Sequence, residues 1–241
     1  MTLSLPPNAT PAREQAILDY VQQGNCEFSW ATVTSNYNGH TAEFQVFADA
    51  LKIEGVRVNV CAKTEQLIAD VLDCMLLTPK LADLAWLQRA VTIKPHTRAF
   101  SETTADMIAH SAQIDADLQA LGSPSGLVCT VGKHWVLDNA IAGKIYAGVP
   151  VAMNYGWHFD GPTFQGQSWE QCASIASRLI QGRGTRHDMH HVDYSQICVL
   201  VSNHCTVDGT DMALTDVLTS PDLAPLASHQ GVLNVLRQPG V

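Results

Sequence analysis

The chain has 241 residues and a formal net charge of −9, from 14 Lys and Arg against 23 Asp and Glu, with 46% hydrophobic and 15% charged residues. The apolar content excludes intrinsic disorder, and the shortage of clustered cations excludes a polyanion groove, so no nucleic-acid partner is expected. No Gly/Ser-rich or Pro-rich linker and no internal repeat divides the chain. One domain over residues 1–241 is therefore expected, with a helical and strand subregion over 1–125 and a site-bearing subregion over 126–241.

Residues 1–7 carry no positive charge and no long apolar run follows, so neither a secretory signal nor a membrane span is expected. A cytoplasmic location with no membrane partner is the expectation, with export by another route left open. The seven cysteines are an odd set without CxxC spacing and read as buried thiols. No glycine-rich phosphate loop occurs, so no organic cofactor is expected.

Thr10-Pro11 predicts a helix start and Gly24 its stop, with Ile17 and Val21 facing inward. Residues 28–34, 42–51 and 56–62 read as strands, the first two joined by an Asn38-Gly39 turn. In the third, Val56, Val58 and Val60 alternate with Arg57 and Asn59. Thr64 opens a helix with an apolar stripe of Leu67, Ile68, Val71, Leu72 and Met75, and Thr78-Pro79 opens another with Leu81, Leu84 and Leu87. Residues 91–94 suggest a short strand. Thr103 with Asp106 caps a helix ending at Gly122, its core face Met107, Ile114, Leu118 and Leu121.

Beyond Gly126 short strands are expected over 126–131, 134–138 and 149–155. Ser168 with Gln171 predicts a helix through Ile180, stopped by Gly182, then a polar loop over 182–193 and an apolar central strand over 195–202. Val207-Asp208-Gly209 turns into a short helix over 212–218, and 232–236 suggests a last strand. Strands and helices come in runs, which predicts an α+β fold with a mainly antiparallel or mixed sheet and packing helices.

Histidine density marks the candidate site. Five of the ten histidines, His134, His158, His187, His190 and His191, gather near Lys133, Asp138, Asp193, Tyr194 and Ser195. Acid–base catalysis fits: His187 or His158 takes a proton, Asp193 orients the imidazole, Ser195 or a water attacks, and Lys133 stabilises an oxyanion. Along an extended 193–195 segment Asp193 and Ser195 share a face. The bland alternative is that both cap a turn before a buried strand. Arg186, beside Arg183, suits a carboxylate or phosphate.

Two rival readings stand beside it. In one, Tyr155, Trp157 and Tyr194 form the platform of a non-catalytic sugar- or peptide-binding module. In the other, His187, His190, His191 and Asp193 ligate zinc, although their spacing matches no strong zinc signature. The expected partner is a polymer or small-molecule substrate.

Leu77-Thr78-Pro79-Lys80 with Asp83 and Trp86, Lys133, Tyr155-Gly156-Trp157-His158, His187, Val192-Asp193-Tyr194-Ser195, and Asp216-Val217-Leu218 with Pro221 and Leu223 carry a resemblance. Over roughly residues 62–232 the chain resembles a largely uncharacterised bacterial protein family, sometimes attached to cell-wall-binding modules. The resemblance implies a cell-wall or related polymer, such as peptidoglycan, as substrate. It supports Lys133, His158, His187, Asp193, Tyr194 and Ser195 as site residues and leaves His134, His190 and His191 peculiar to this chain. The family continues the serine with His-Gly, where this chain has Gln196-Ile197. A histidine's role there is therefore missing, or supplied by His190 or His191. The resulting expectation is a hydrolase of amide or ester bonds.

Overall fold

Three helices begin where a threonine hydroxyl replaces the missing intrahelical acceptor. Thr10 accepts from the Arg13 amide, Thr78 from Leu81 and Thr103 from Asp106, and proline follows the first two caps with its backbone angle already helical. The computed structural model describes residues 3–129, 131–159 and 178–241. Its first half contains α1 (Pro11–Gln22), β1 (Trp30–Tyr37), β2 (His40–Phe47), β3 (Lys52–Ile53), β4 (Val56–Arg57), α2 (Ala62–Val71), β5 (Cys74–Leu76), α3 (Pro79–Leu87), β6 (Val91–Thr92) and α4 (Thr104–Ala120). The second contains β7 (Val128–Cys129), β8 (Lys133–Val136), β9 (Ile145–Tyr146), β10 (Val149–Phe159), β11 (Arg178–Asp188), β12 (Leu200–Val207), β13 (Thr210–Ala213) and α5 (Leu214–Thr219).

Two antiparallel sheets organise the α+β fold. The first has the order β1-β2-β12-β13, with β5 also paired to β12. Its hairpins close at Asn38-Gly39 and Asp208-Gly209, and all four residues take positive φ, as tight two-residue turns require. The second has the order β11-β10-β8, with β9 on β10. Two chain crossings join the sheets. Leu77, just after β5, bridges Val136 of β8, and Gln196, ahead of β12, bridges Lys133 at the start of β8. Val46, Leu76, Trp135, Val136 and Leu200, all at most 1% exposed, share the core at this seam. Among the described residues no helix is long and apolar enough to cross a membrane.

Several expectations need correcting. Residues 182–193 were expected as a loop and 178–180 as a helix end, but Arg178–Asp188 is one strand, β11. Its glycines interrupt an edge strand's pairing and do not stop a helix. The expected cap at Ser168 and Gln171 lies outside the described residues. Of 56–62 only Val56–Arg57 pairs as a strand, because Ala62 already belongs to α2 and the alternation is not inside–outside. Arg57 is buried against Asp49 and Asp115, and Asn59 is buried against the Asp193 carbonyl. Met75 lies in β5, and Val71 at the end of α2 is exposed.

On α4, His110 and Ser111 are buried with Met107 and Ile114, while Leu121 is exposed. The central strand β12 spans 200–207; Ser195 closes a turn, and Gln196 and Ile197 make isolated bridges ahead of the strand. Residues 232–236 form no strand. The Asn139 side chain holds them instead, through the Val232 carbonyl and the Asn234 amide.

Candidate functional site

The seam between the sheets requires a glycine at 132. A Cβ there would stand 2.5 Å from the Ser195 carbonyl oxygen, which only a residue without a side chain permits. The two segments then exchange main-chain bonds, Lys133 N to Ser195 O at 2.9 Å and Ile197 N to Lys133 O at 3.1 Å. This contact sets Lys133 Nζ 2.5 Å from Asp193 Oδ2, with both side chains largely buried.

Asp193 is held at every polar atom. Its Oδ1 accepts from the Ser195 amide at 2.8 Å and from the Ser195 hydroxyl at 2.6 Å. Its amide donates to Gln196 Oε1 at 2.6 Å, and its carbonyl accepts from Asn59 Nδ2 at 2.5 Å. Gln196 Nε2 continues the network to Asn154 Oδ1 at 3.0 Å. Burial pushes the Asp193 carboxyl up, but the Lys133 charge and the bonds from Lys133 and Ser195 outweigh it and hold it below its ordinary value. The carboxylate is therefore ionised and immobile at neutral pH.

His187 stands on β11 opposite Ala152 and feels the same charges. Burial lowers its pKa, the Lys133 ammonium lowers it further, and Asp193 and Asp188 partly oppose. Its ring stacks on His191 with centroids 3.8 Å apart and planes 8° from parallel. Burial and then the charge of His187 bring His191 down to about 4. Both rings are thus neutral and proton-accepting near pH 7, and His187 is half-buried at a groove that also contains Arg186.

Ser195 is 1% exposed and its hydroxyl is spent on Asp193, so it orients the carboxylate and presents no oxygen to an incoming carbonyl. The turn-capping alternative describes its geometry. His190 is exposed and lines a separate groove with Pro11 and Lys63. Among the described residues no three His, Cys, Asp or Glu side chains group as metal ligands, and the four residues of the zinc reading do not converge. Tyr155, Trp157 and Tyr194 are 0%, 3% and 5% exposed. They therefore present no open aromatic platform. The Tyr194 hydroxyl accepts from the Arg98 amide at 2.7 Å, and its ring packs edge-on against His110.

His158 belongs to a different cluster. Lys133 and His134 are neighbours on β8 and project to opposite faces, Lys133 to Asp193 and His134 into a cavity that His158 also lines. His158 Nε2 lies 2.8 Å from Asp83 Oδ1 on α3, and its ring stacks on Trp86. Asp83 Oδ1 also accepts from the Tyr155 hydroxyl at 2.7 Å, and Oδ2 meets His229 Nε2 at 2.7 Å. Burial pushes Asp83 up, but the bonds from His158 and His229, the charge of His158 and the bond from Tyr155 outweigh it and hold the carboxyl at about 2. Burial lowers His134 to about 3.

Asp83 and His229 of this cluster, and Asn59 of the Asp193 network, are absent from the residues that histidine density marks. The resemblance includes Asp83, an acidic residue inside the apolar run of α3, without giving it a role in the site. Asn59, 134 positions from Asp193, gave no signal. Among the described residues all six cysteines are free, and Cys198, 0% exposed, has its thiol pKa raised by burial, which suits packing. Cys172 lies outside the described residues. In comparisons with known proteins the chain matches no family, no curated protein and no solved structure.

Proposed function

We propose that this protein hydrolyses an amide or ester bond by general acid–base catalysis at His187, with water as the nucleophile. What supports this reading is a neutral, half-buried imidazole, stacked on His191, that feels the charges of an ion pair whose carboxylate is fixed by Ser195, Asn59 and Gln196. His187 takes a proton from water as the water oxygen bonds to the carbonyl carbon. The Lys133 ammonium stabilises the oxyanion that develops, and Asp193 offsets the charge of the imidazolium. As the tetrahedral intermediate collapses, the imidazolium returns its proton to the departing nitrogen or oxygen. His158, bound to Asp83 in the other cluster, has no part in these steps. That the bond lies in a cell-wall polymer rests on the family resemblance alone.

The test is the pH profile of kcat/KM for release of new amino or carboxyl termini from purified peptidoglycan, with p-nitrophenyl acetate as an ester probe. The acid limb should fall below the ordinary histidine value of 6.5, because burial and Lys133 lower the pKa of His187. Lys133→Met should shift that limb to higher pH and slow the reaction. An unmoved limb, or ligand binding without turnover in the parent protein, would overturn the reading, the latter in favour of a binding module.

A further inference from the structure

The register of β11 against β10 slips twice near His187. His187 pairs with Ala152, Gly184 with Asn154 and Gln181 with Gly156, so each interval sets three steps of β11 against two of β10. Each slip inserts one unopposed residue, and Arg186 lies in the first interval and Arg183 in the second. Such bulges redirect side chains away from the regular alternation of a strand. The resulting open groove, about 700 Å³, is lined by Gln181, Gly182, Arg183, Gly184, Arg186 and His187. Gly182 and Gly184 leave its floor without side chains.

The charge of the groove runs against that of the molecule. Arg186 is exposed, and among the described residues no carboxylate pairs with it. Lys144 Nζ stands 3.4 Å from Thr185 Oγ1 and brings a second cation to the strand. Arg183 is anchored by the fully buried carboxylate of Asp138, with its side chain 40% exposed toward solvent. Asp138 cancels Arg183, and Asp188 follows His187, so the local excess suits a monoanion better than a phosphate dianion. A guanidinium fork matches the two oxygens of a carboxylate.

We infer that this bulged, cationic groove binds a carboxylate of an acidic peptide chain, so that the bond presented to His187 lies next to an acidic residue. The assignment rests on the proposed hydrolase reading for its meaning, but the groove can be tested apart from it.

The probe is octa-L-glutamate, titrated into the full chain while the Gly182 and Gly184 amide resonances are followed by NMR. Octa-L-glutamine and inorganic phosphate serve as controls. Octaglutamate should shift both amides in the parent protein and in His187→Ala, and added salt should weaken it. Arg186→Gln, an exposed substitution with an unchanged melting temperature, should weaken it about tenfold. Equal binding of octaglutamine, tighter binding of phosphate, or an Arg186→Gln protein that binds as the parent does would each overturn the inference. Loss of octaglutamate binding with hydrolysis intact would remove this subsite alone. Loss of hydrolysis on its own would remove the catalytic reading alone.

Discussion

Burial sets the roles of two polar residues, Ser195 and Asp83. Ser195→Ala removes a hydroxyl bonded to a carboxylate in a largely buried network, and such a bond contributes about 1.5–3 kcal/mol. Urea denaturation should show a loss in that range, with hydrolysis slowed through misplacement of Asp193 and not abolished. A serine acting as nucleophile would instead abolish hydrolysis with little change in stability. Asp83→Asn leaves His158, His229 and Tyr155 around a group that accepts through one oxygen only. Since breaking a buried charged network costs about 3–5 kcal/mol, the variant should melt far below the parent. An unchanged melting temperature would refute the structural role given to that cluster.

At the scale of elements, the seam between the sheets depends on Gly132, and the register shift of β10 ends at Gly156, whose φ is positive. An alanine at 132 must push the 195–197 segment away, and overpacking of this kind costs about 1–3 kcal/mol. Gly132→Ala should therefore lose stability and activity together, read by denaturation and turnover on one preparation. At Gly156, φ is +101° and a Cβ would meet the His134 ring at 2.9 Å, so alanine is strained there as well.

The helix starts at Thr10, Thr78 and Thr103 and the Asn38-Gly39 hairpin were legible in the sequence because each is decided within a few residues. The failures have a common physical cause. The polarity and glycines of β11 resemble those of a loop, since an edge strand with two bulges has neither apolar alternation nor regular pairing. The arginine and asparagine at 57 and 59 imitate an exposed strand face, although their partners at 49, 115 and 193 bury them. Histidine density marked residues that the alternation of β8 sets on two faces, Lys133 with Asp193 on one and His134 beside the His158–Asp83 cluster on the other, while His187 and His191 stack on each other.

For the whole molecule, the buried histidines set the behaviour in acid. His110 and His191 have folded pKa values of about 4 and His134 about 3, each lowered chiefly by burial, against an ordinary value of 6.5. The unfolded chain therefore binds protons first. The contribution of these histidines to stability should be complete above pH 6.5 and be lost progressively as pH drops toward 4. Asp83, about 2 folded against 3.8 unfolded, adds stability that persists above 3.8 and is lost only as pH falls through about 2. In Glu65→Gln, where the opposing carboxyl is absent, denaturation between pH 7 and 4 that left stability flat would exclude neutral burial of these histidines.

Glu65 acts in the opposite direction, because complete burial raises its pKa well above 4.5. Its unfolded form ionises above 4.5 while the folded form keeps its proton, so stability is lost as pH rises past that value. Glu65→Gln should consequently be more stable than the parent at pH 7, with the advantage disappearing near pH 4. A variant less stable than the parent at pH 7 would show that Glu65 is ionised in the fold.

The proposed hydrolysis depends on His187 as the base, under the charges of the Lys133–Asp193 pair. It is tested most directly by the rate at pH 7 at which the parent and His187→Ala release new termini from purified peptidoglycan, with melting temperatures taken on the same samples. General acid–base catalysis contributes about 10²–10⁴-fold, so His187→Ala should be slower by at least about 100-fold while melting within a degree or two of the parent. A His187→Ala protein that is folded and as fast as the parent would contradict the account.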